Sequence, residues 1–407
     1  MGLTPGQART RQIPSASGNT QIFVQGMQKL TWEQAAAWRV RRQHLDRRAR
    51  AGSMLAVASR LCGLHAQLIS SAELTVWARV EGLKRGAVQR ALWEERTLVK
   101  TWAMRGTLHL LPARELPLWY AGLKTSRRYL RPLLWRKHYG ITLEELERLT
   151  EMIAAALENR VMTREELVKE VAKRIGSSGV AAKLAYSWGT VLKPAAFTGR
   201  LCFGPSVGQR VRFTRPDTWL TLPPARFDGQ SATAEIARRF LATYGPATYR
   251  DLARWWGDRG GMATARQWIS SLGDEVTSVE LGGQRAWMLV ANLRELRELP
   301  ASRSVRLLPG FDQYVVAASC HAHQLLPGDL RQQVYRPQGW LSPVLLVNGM
   351  MQGTWRHSLK GSRLEVTVEP FVEIPSWARR AAGEEAERLA SFLNCHLHVI
   401  WKRSRSH

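Results

Sequence analysis

A helix, a second helix across a short turn and then a β-hairpin recur three times along this chain of 407 residues, and that recurrence constrains the fold more than any single motif. In the first pass, MLAVASRLCGL reads as a helix running into His65-Ala66-Gln67, and SAELTVWARVEGL and AVQRALWEER read as two further helices. TLVKTWAMRGTLHLL then alternates around Gly106, as two strands joined by a tight turn do. MTREELVKEVAKRI, AAKLAYSWGTVLKPAAF and TGRLCFGP repeat the order. So do ATYRDLARWWGDRG, MATARQWISSL and VTSVELGGQRAWMLV, with Gly282-Gly283 at the turn. Two openings resemble each other, Thr163-Arg164-Glu165-Glu166-Leu167 and Thr248-Tyr249-Arg250-Asp251-Leu252, with Thr, an acidic residue and Leu in the same places. A helix pair followed by a hairpin is the winged-helix arrangement, so the expected fold is α+β with three tandem winged-helix units.

The chain is too long for one hydrophobic core, and the pattern divides it accordingly. Residues 1–28, rich in Gln, Gly, Ser, Thr and Pro, are expected to form a disordered tail. The first unit covers 29–140, with Thr31 as the N-cap of its opening helix, and the second 141–215. A Pro-rich linker and the third unit cover 216–299. From 300 to 407 the period changes to that of strands, with hairpin turns at Asn348-Gly349 and Lys360-Gly361 and a closing helix.

Charge indicates the partner. Lys and Arg total 59 against 33 Asp and Glu, a net charge of +26, and 48 of the basic residues are arginine, whose planar fork grips phosphate in bidentate fashion. Residues 1–140 hold 24 basic and only 7 acidic groups. A polyanion, and nucleic acid first among them, is the expected ligand. The candidate DNA contacts are Arg79, Lys100, Trp102, Arg105 and His109 on or near the first hairpin, and Arg127, Arg128 and Arg131 in a basic run without acidic partners. Asn348 and Arg356 join them from the C-terminal hairpin. Trp102 is the best placed of the first unit's tryptophans to stack on a base, whereas the others fall at core spacing.

Other chemistries are poorly served. Cys62, Cys202, Cys320 and Cys395 have no CxxC spacing, which argues against a disulfide framework and fits a reducing cytoplasm. Cys320-His321-Ala322-His323 and Cys395-His396-Leu397-His398 lack the usual zinc spacings, so no metal and no cofactor are expected. The P-loop, GxGxxG and GxSxG signatures are absent, as is any apolar run long enough for a signal peptide or membrane span. His65-Ala66-Gln67 is the one constellation suited to catalysis. On extended backbone the two polar side chains point to one side and can hold a water molecule between them, although a histidine after an apolar helix also serves as a cap or a core residue.

Four segments carry a family resemblance: GLHAQLISSAELTVWARVEGL, LWEERTLVKTWAMRGTLHLLPARELPLW, LLPGFDQYVVA and VNGMMQGTWRH. Together they resemble the AlkZ-like (YcaQ-type) winged-helix DNA glycosylases over the chain from about residue 30 onward. The resemblance implies tandem winged helices around a basic concave channel. It also implies monofunctional excision of N7-alkylated purines, including bulky natural-product adducts and interstrand crosslinks, in repair or in self-resistance to a genotoxin. The implied partner is double-stranded DNA carrying such purines, bound by a monomer in the cytoplasm at the nucleoid. The family's water-handling Gln-x-Gln or Gln-x-Asp motif falls on His65-Ala66-Gln67, where Gln67 matches and His65 departs. A neutral imidazole in that place can orient the attacking water or take its proton, with Gln67 holding the same water. With no lysine beside the motif, no Schiff-base lyase step is expected. A winged-helix transcription regulator or architectural protein, using the same basic face without chemistry, is the alternative.

Overall fold

The computed structural model describes residues 27–125, 132–175, 183–184, 189–224, 226–257, 261–300 and 303–404. Its first elements are strand β1 (Gln28–Leu30) and helix α1 (Trp32–Arg42). Gln28, assigned above to the tail, instead opens β1, which pairs in parallel with a strand some 250 residues further on, Gln28 opposite Val279. Thr31 caps α1 as expected, its hydroxyl accepting from the Gln34 amide while the Gln34 side chain accepts from the Thr31 amide.

The first repeat contains α2 (Met54–Arg60), β2 (Leu64–His65), α3 (Ile69–Trp77), α4 (Ala87–Trp93), β3 (Leu98–Trp102) and β4 (Leu108–Pro112). Its sheet has the order β2-β4-β3 and is antiparallel throughout. After α5 (Leu116–Thr125) and α6 (Pro132–Tyr139), the second repeat brings α7 (Leu143–Ala156), β5 (Met162–Thr163), α8 (Arg164–Ile175), α9 (Lys193–Phe197), β6 (Cys202–Val207) and β7 (Arg210–Thr214). Its sheet runs β5-β7-β6. The third has α10 (Gly229–Tyr244), α11 (Tyr249–Trp256), α12 (Met262–Ser270), β8 (Val276–Leu281) and β9 (Gln284–Leu289), where an isolated bridge from Ala247 to Trp287 takes the place of the short strand. In each repeat the segment before the second helix lies across the second hairpin strand. The matched openings share one physical cause. Thr163 with Glu166, and Thr248 with Asp251, form reciprocal capping boxes that satisfy the first free amides of α8 and α11.

Beyond α13 (Val290–Arg297) come β10 (Val305–Leu308), α14 (Gln313–Ala317), β11 (Val344–Val347), β12 (Met350–Lys360), β13 (Arg363–Pro370), α15 (Ser376–Leu393) and β14 (His396–Trp401). The five strands form one sheet in chain order, and only β13 and β14 are parallel. Leu307, Leu345, Val366 and Leu389 form a core with Ala36, Val40 and Trp77, so the C-terminal sheet packs on α1 and α3. A second core runs through all three repeats and includes Trp119, Leu149, Phe240 and Trp256. These two cores fix the first repeat against the loop that follows β10, and the candidate site lies at that junction.

Candidate active site

His65 occupies the two-residue strand β2, and the Ala66 amide continues the pairing by donating to Leu108 O at 2.7 Å. The extended backbone therefore alternates. Leu64 and Ala66 are buried in the core of the first repeat, while His65 takes the opposite face and Gln67 follows at a bend beyond the end of β2. Gln67 is exposed, and His65 is only 6% exposed.

The imidazole of His65 is enclosed by rings. Phe311 stacks on it in parallel, with centroids 4.8 Å apart and an interplanar angle of 4°. His109, its cross-strand partner, stands edge-on at 5.5 Å. Among the described residues Nδ1 of His65 is buried and has no hydrogen-bond partner. Burial, reinforced by the nearby Arg105 cation, pushes its pKa down to about 3, so the ring is neutral at neutral pH. His109 is pushed well below its ordinary value by burial, by Arg105 and by His65. Its Nε2 lies 3.1 Å from Arg105 Nη2, and because a guanidinium only donates, Nε2 accepts and the proton sits on Nδ1, 3.0 Å from Thr107 O. Arg105 Nη1 also donates to Trp255 O at 2.6 Å, which ties the first hairpin to α11.

The loop after β10 holds Phe311 in place. Phe311 has φ +62°, a left-handed conformation that a bulky side chain adopts only under constraint, and the next two residues supply the constraint. Asp312 receives both terminal nitrogens of Arg79 at 2.7 Å, and it caps α14 through the Tyr314 amide at 2.8 Å. Gln313 donates through Nε2 to Gly63 O at 2.8 Å, two residues before His65. The LLPGFDQY segment is thus the wall that shapes the His65 pocket.

Several expected DNA contacts are corrected by this geometry. Arg79 is fully buried in its pair with Asp312 and holds the Thr75 carbonyl besides, so no phosphate can reach it. Trp102 is 7% exposed and packs on Phe203 and Phe213, which leaves no face for a base. His109 is wholly enclosed. Arg105 is half-buried and bonded as described above, and Lys100 is half-buried over the ring of Phe203 at 5.1 Å. Asn348 uses its side-chain oxygen to accept from the Ser304 amide and has φ +51°, as a hairpin-turn residue does. Arg356 is exposed on β12 and paired with Glu369. Arg127, Arg128 and Arg131 lie outside the described residues.

The neutral histidines make stability depend on pH. Their folded pKa values lie below the unfolded value near 6.5, so the unfolded chain binds more protons in between, and stability falls as pH drops below about 6.5. Each contributes a slope approaching about 1.4 kcal/mol per pH unit in that window. Urea denaturation at pH 7.5, 6 and 5 is expected to give falling midpoints, with a shallower fall in a His65→Gln variant.

Comparison with known proteins then bears on this site. The family model described as "DNA glycosylase AlkZ-like" matches residues 58–392, a span that includes His65, Gln67 and the Phe311 loop. The chain belongs to the AlkZ-like DNA glycosylase family. An "Interstrand DNA cross-link repair glycosylase" of Streptomyces sahachiroi is 34% identical over 368 residues, 89% of this chain and 96% of that protein. The solved structure of the Streptomyces sahachiroi DNA glycosylase AlkZ superposes with a TM-score of 0.81 at 33% identity, over 92% of this chain and 100% of the other. Like its relatives, this AlkZ-like chain is a DNA glycosylase, and no helix among its described residues is long and apolar enough to cross a membrane. Three residues of the pocket are invisible to pattern reading: Phe311, Gln313 and Trp340, the last touching Phe311 edge-on at 5.0 Å. The only available signal was that Phe311 and Gln313 belong to the LLPGFDQY segment.

Proposed function

We propose that this glycosylase hydrolyses the N-glycosidic bond of N7-alkylated purines in double-stranded DNA, bulky and crosslinked adducts included, with the attacking water held between His65 and Gln67. The observation that carries the reading is the neutral imidazole of His65, walled by Phe311 and two residues before the exposed Gln67. The Streptomyces sahachiroi relative, an interstrand DNA cross-link repair glycosylase, supports crosslinked DNA as a substrate.

Alkylation at N7 places a positive charge on the purine. When the N9–C1′ bond breaks, its electron pair neutralises that ring, the base leaves uncharged, and the sugar becomes oxocarbenium-like. Water adds to C1′ and, as the new C–O bond forms, passes its extra proton to surrounding solvent water. The leaving group needs no general acid, and the protein's task is to place the water and stabilise the cationic sugar. An imidazole with a pKa near 3 is a weak base, so His65 serves chiefly to orient the water, which becomes acidic only as it bonds to the sugar. In the same reading the three repeats are winged helices that line a basic channel and hold the duplex through its phosphates.

Incubating the purified protein with a duplex carrying N7-alkylguanine, then cleaving abasic sites in hot alkali, gives strand scission if the reading is right. An uncut duplex would show that N7-alkylguanine is not the substrate of this glycosylase. Affinity for undamaged duplex is expected to fall steeply with salt, with a log–log slope of about −5 or steeper and little dependence on base sequence. A shallow slope with sharp sequence preference would count against a duplex held through its phosphates.

A further inference from the structure

Among the described residues, one exposed aromatic side chain is joined by ring contacts to the His65 pocket. Trp340 is 48% exposed, and its indole meets Phe311 edge-on at 5.0 Å and 73°, while the face of Phe311 stacks on His65 at 4.8 Å. These two distances put the indole no more than about 10 Å from the imidazole, within the reach of a nucleotide being processed there. Exposure of a tryptophan at this level is uncommon in a chain whose Trp38, Trp77 and Trp119 are wholly buried.

The backbone holds Trp340 outward. The residue ends a tight turn in which Gln338 has φ +58°, the Arg336 amide donates to Trp340 O at 2.9 Å, and Tyr335 bridges to Leu341 on either side. Tyr335 in turn is anchored through its hydroxyl to Val315 O at 2.8 Å, on the helix that follows Phe311. The turn and the His65 wall therefore share one support, and the indole is presented at a fixed position rather than on a free loop.

We infer that Trp340 is a specificity-determining residue that stacks on the planar aromatic portion of a bulky N7 adduct and so favours such lesions over small alkyl groups. The inference rests on the proposed N7-alkylpurine activity and adds to it the chemical class of adduct. Stacking on an exposed indole is tolerant of the ligand's identity and requires only a flat π-surface, which a methyl adduct lacks.

The test compares two duplexes, one carrying N7-methylguanine and one carrying a guanine alkylated at N7 by a polycyclic aromatic group. Single-turnover excision is measured with the full chain and with Trp340→Ala and Trp340→Phe variants of unchanged melting temperature. The rate ratio, aromatic over methyl, is expected to fall at least roughly tenfold in Trp340→Ala and to recover largely in Trp340→Phe. An unchanged ratio, whether both rates drop together or neither does, would overturn the inference and leave Trp340 as a support for Phe311. A second arm uses 2′-fluorinated, hydrolysis-resistant versions of the same duplexes and measures affinity by anisotropy. There the preference for the aromatic adduct is expected to be lost in Trp340→Ala, and a preference that survives, or that the parent protein never had, overturns the inference. A parent protein that excises neither adduct would refute the proposed activity, and the binding arm would still decide the role of Trp340.

Discussion

Replacing His65 with alanine is expected to lower single-turnover excision of an N7-alkylguanine by about 100-fold or more, the range over which positioned acid–base and water-orienting groups act. The substitution removes the imidazole that stacks on Phe311 and, in the proposed arrangement, one of the two side chains that would hold the water. His65→Gln separates the two roles open to the ring. A carboxamide orients water but takes no proton, so if orientation is the main role, as the depressed pKa argues, the glutamine variant stays within about tenfold of the parent. If it falls as far as alanine, the imidazole is accepting the proton. The pH profile provides the second check. A histidine with a pKa near 6.5 would lose activity as pH falls from 8 to 5, because its protonated ring cannot accept a hydrogen bond from water. With the pKa held near 3 by burial and by Arg105, no such loss is expected from His65, and the profile should be flat until the fold itself weakens. A sigmoidal loss centred near pH 6.5 at constant stability would show that the ring is better solvated in the working complex.

That profile also shows how far sequence reading goes. The extended backbone at His65 was legible from spacing alone, because alternation along a strand is a local property. The three repeats were likewise legible, down to the matched threonines at 163 and 248, because a capping box is written within four residues. The pKa of His65 was not legible. It is set by Phe311 and Arg105, which lie 246 and 40 residues away in the chain, and by a burial that only packing creates. The same limit misplaced Arg79, Trp102 and His109. A basic or aromatic residue in a basic region reads as a surface contact until its partners are known, and those of Arg79 and Trp102, namely Asp312, Phe203 and Phe213, come from distant segments. His109 shows the opposite case, since its bonds to Thr107 and Arg105 are local and still bury it.

Arg79 gives the second large effect, because its two readings predict different observables. Were it a phosphate contact, Arg79→Ala would weaken DNA binding and lower the magnitude of the salt slope by about one, with stability unchanged. As a fully buried partner of Asp312, its removal leaves a carboxylate enclosed without its cation, a loss on the order of 3–5 kcal/mol in unfolding free energy. Urea denaturation of Arg79→Ala is therefore expected to show a much lower midpoint, and Asp312→Ala a comparable one. The double variant Arg79→Met with Asp312→Asn removes both charges together and keeps a side chain able to cap the Tyr314 amide, so it should recover most of the loss. Excision should follow the pair as well. Asp312 sits between Phe311, which walls His65, and Gln313, which holds the Gly63 carbonyl, so a loop released from Arg79 loosens the His65 ring from both sides. A single Arg79→Ala variant with parental stability and weakened DNA binding would reverse this assignment and return Arg79 to the DNA-facing surface.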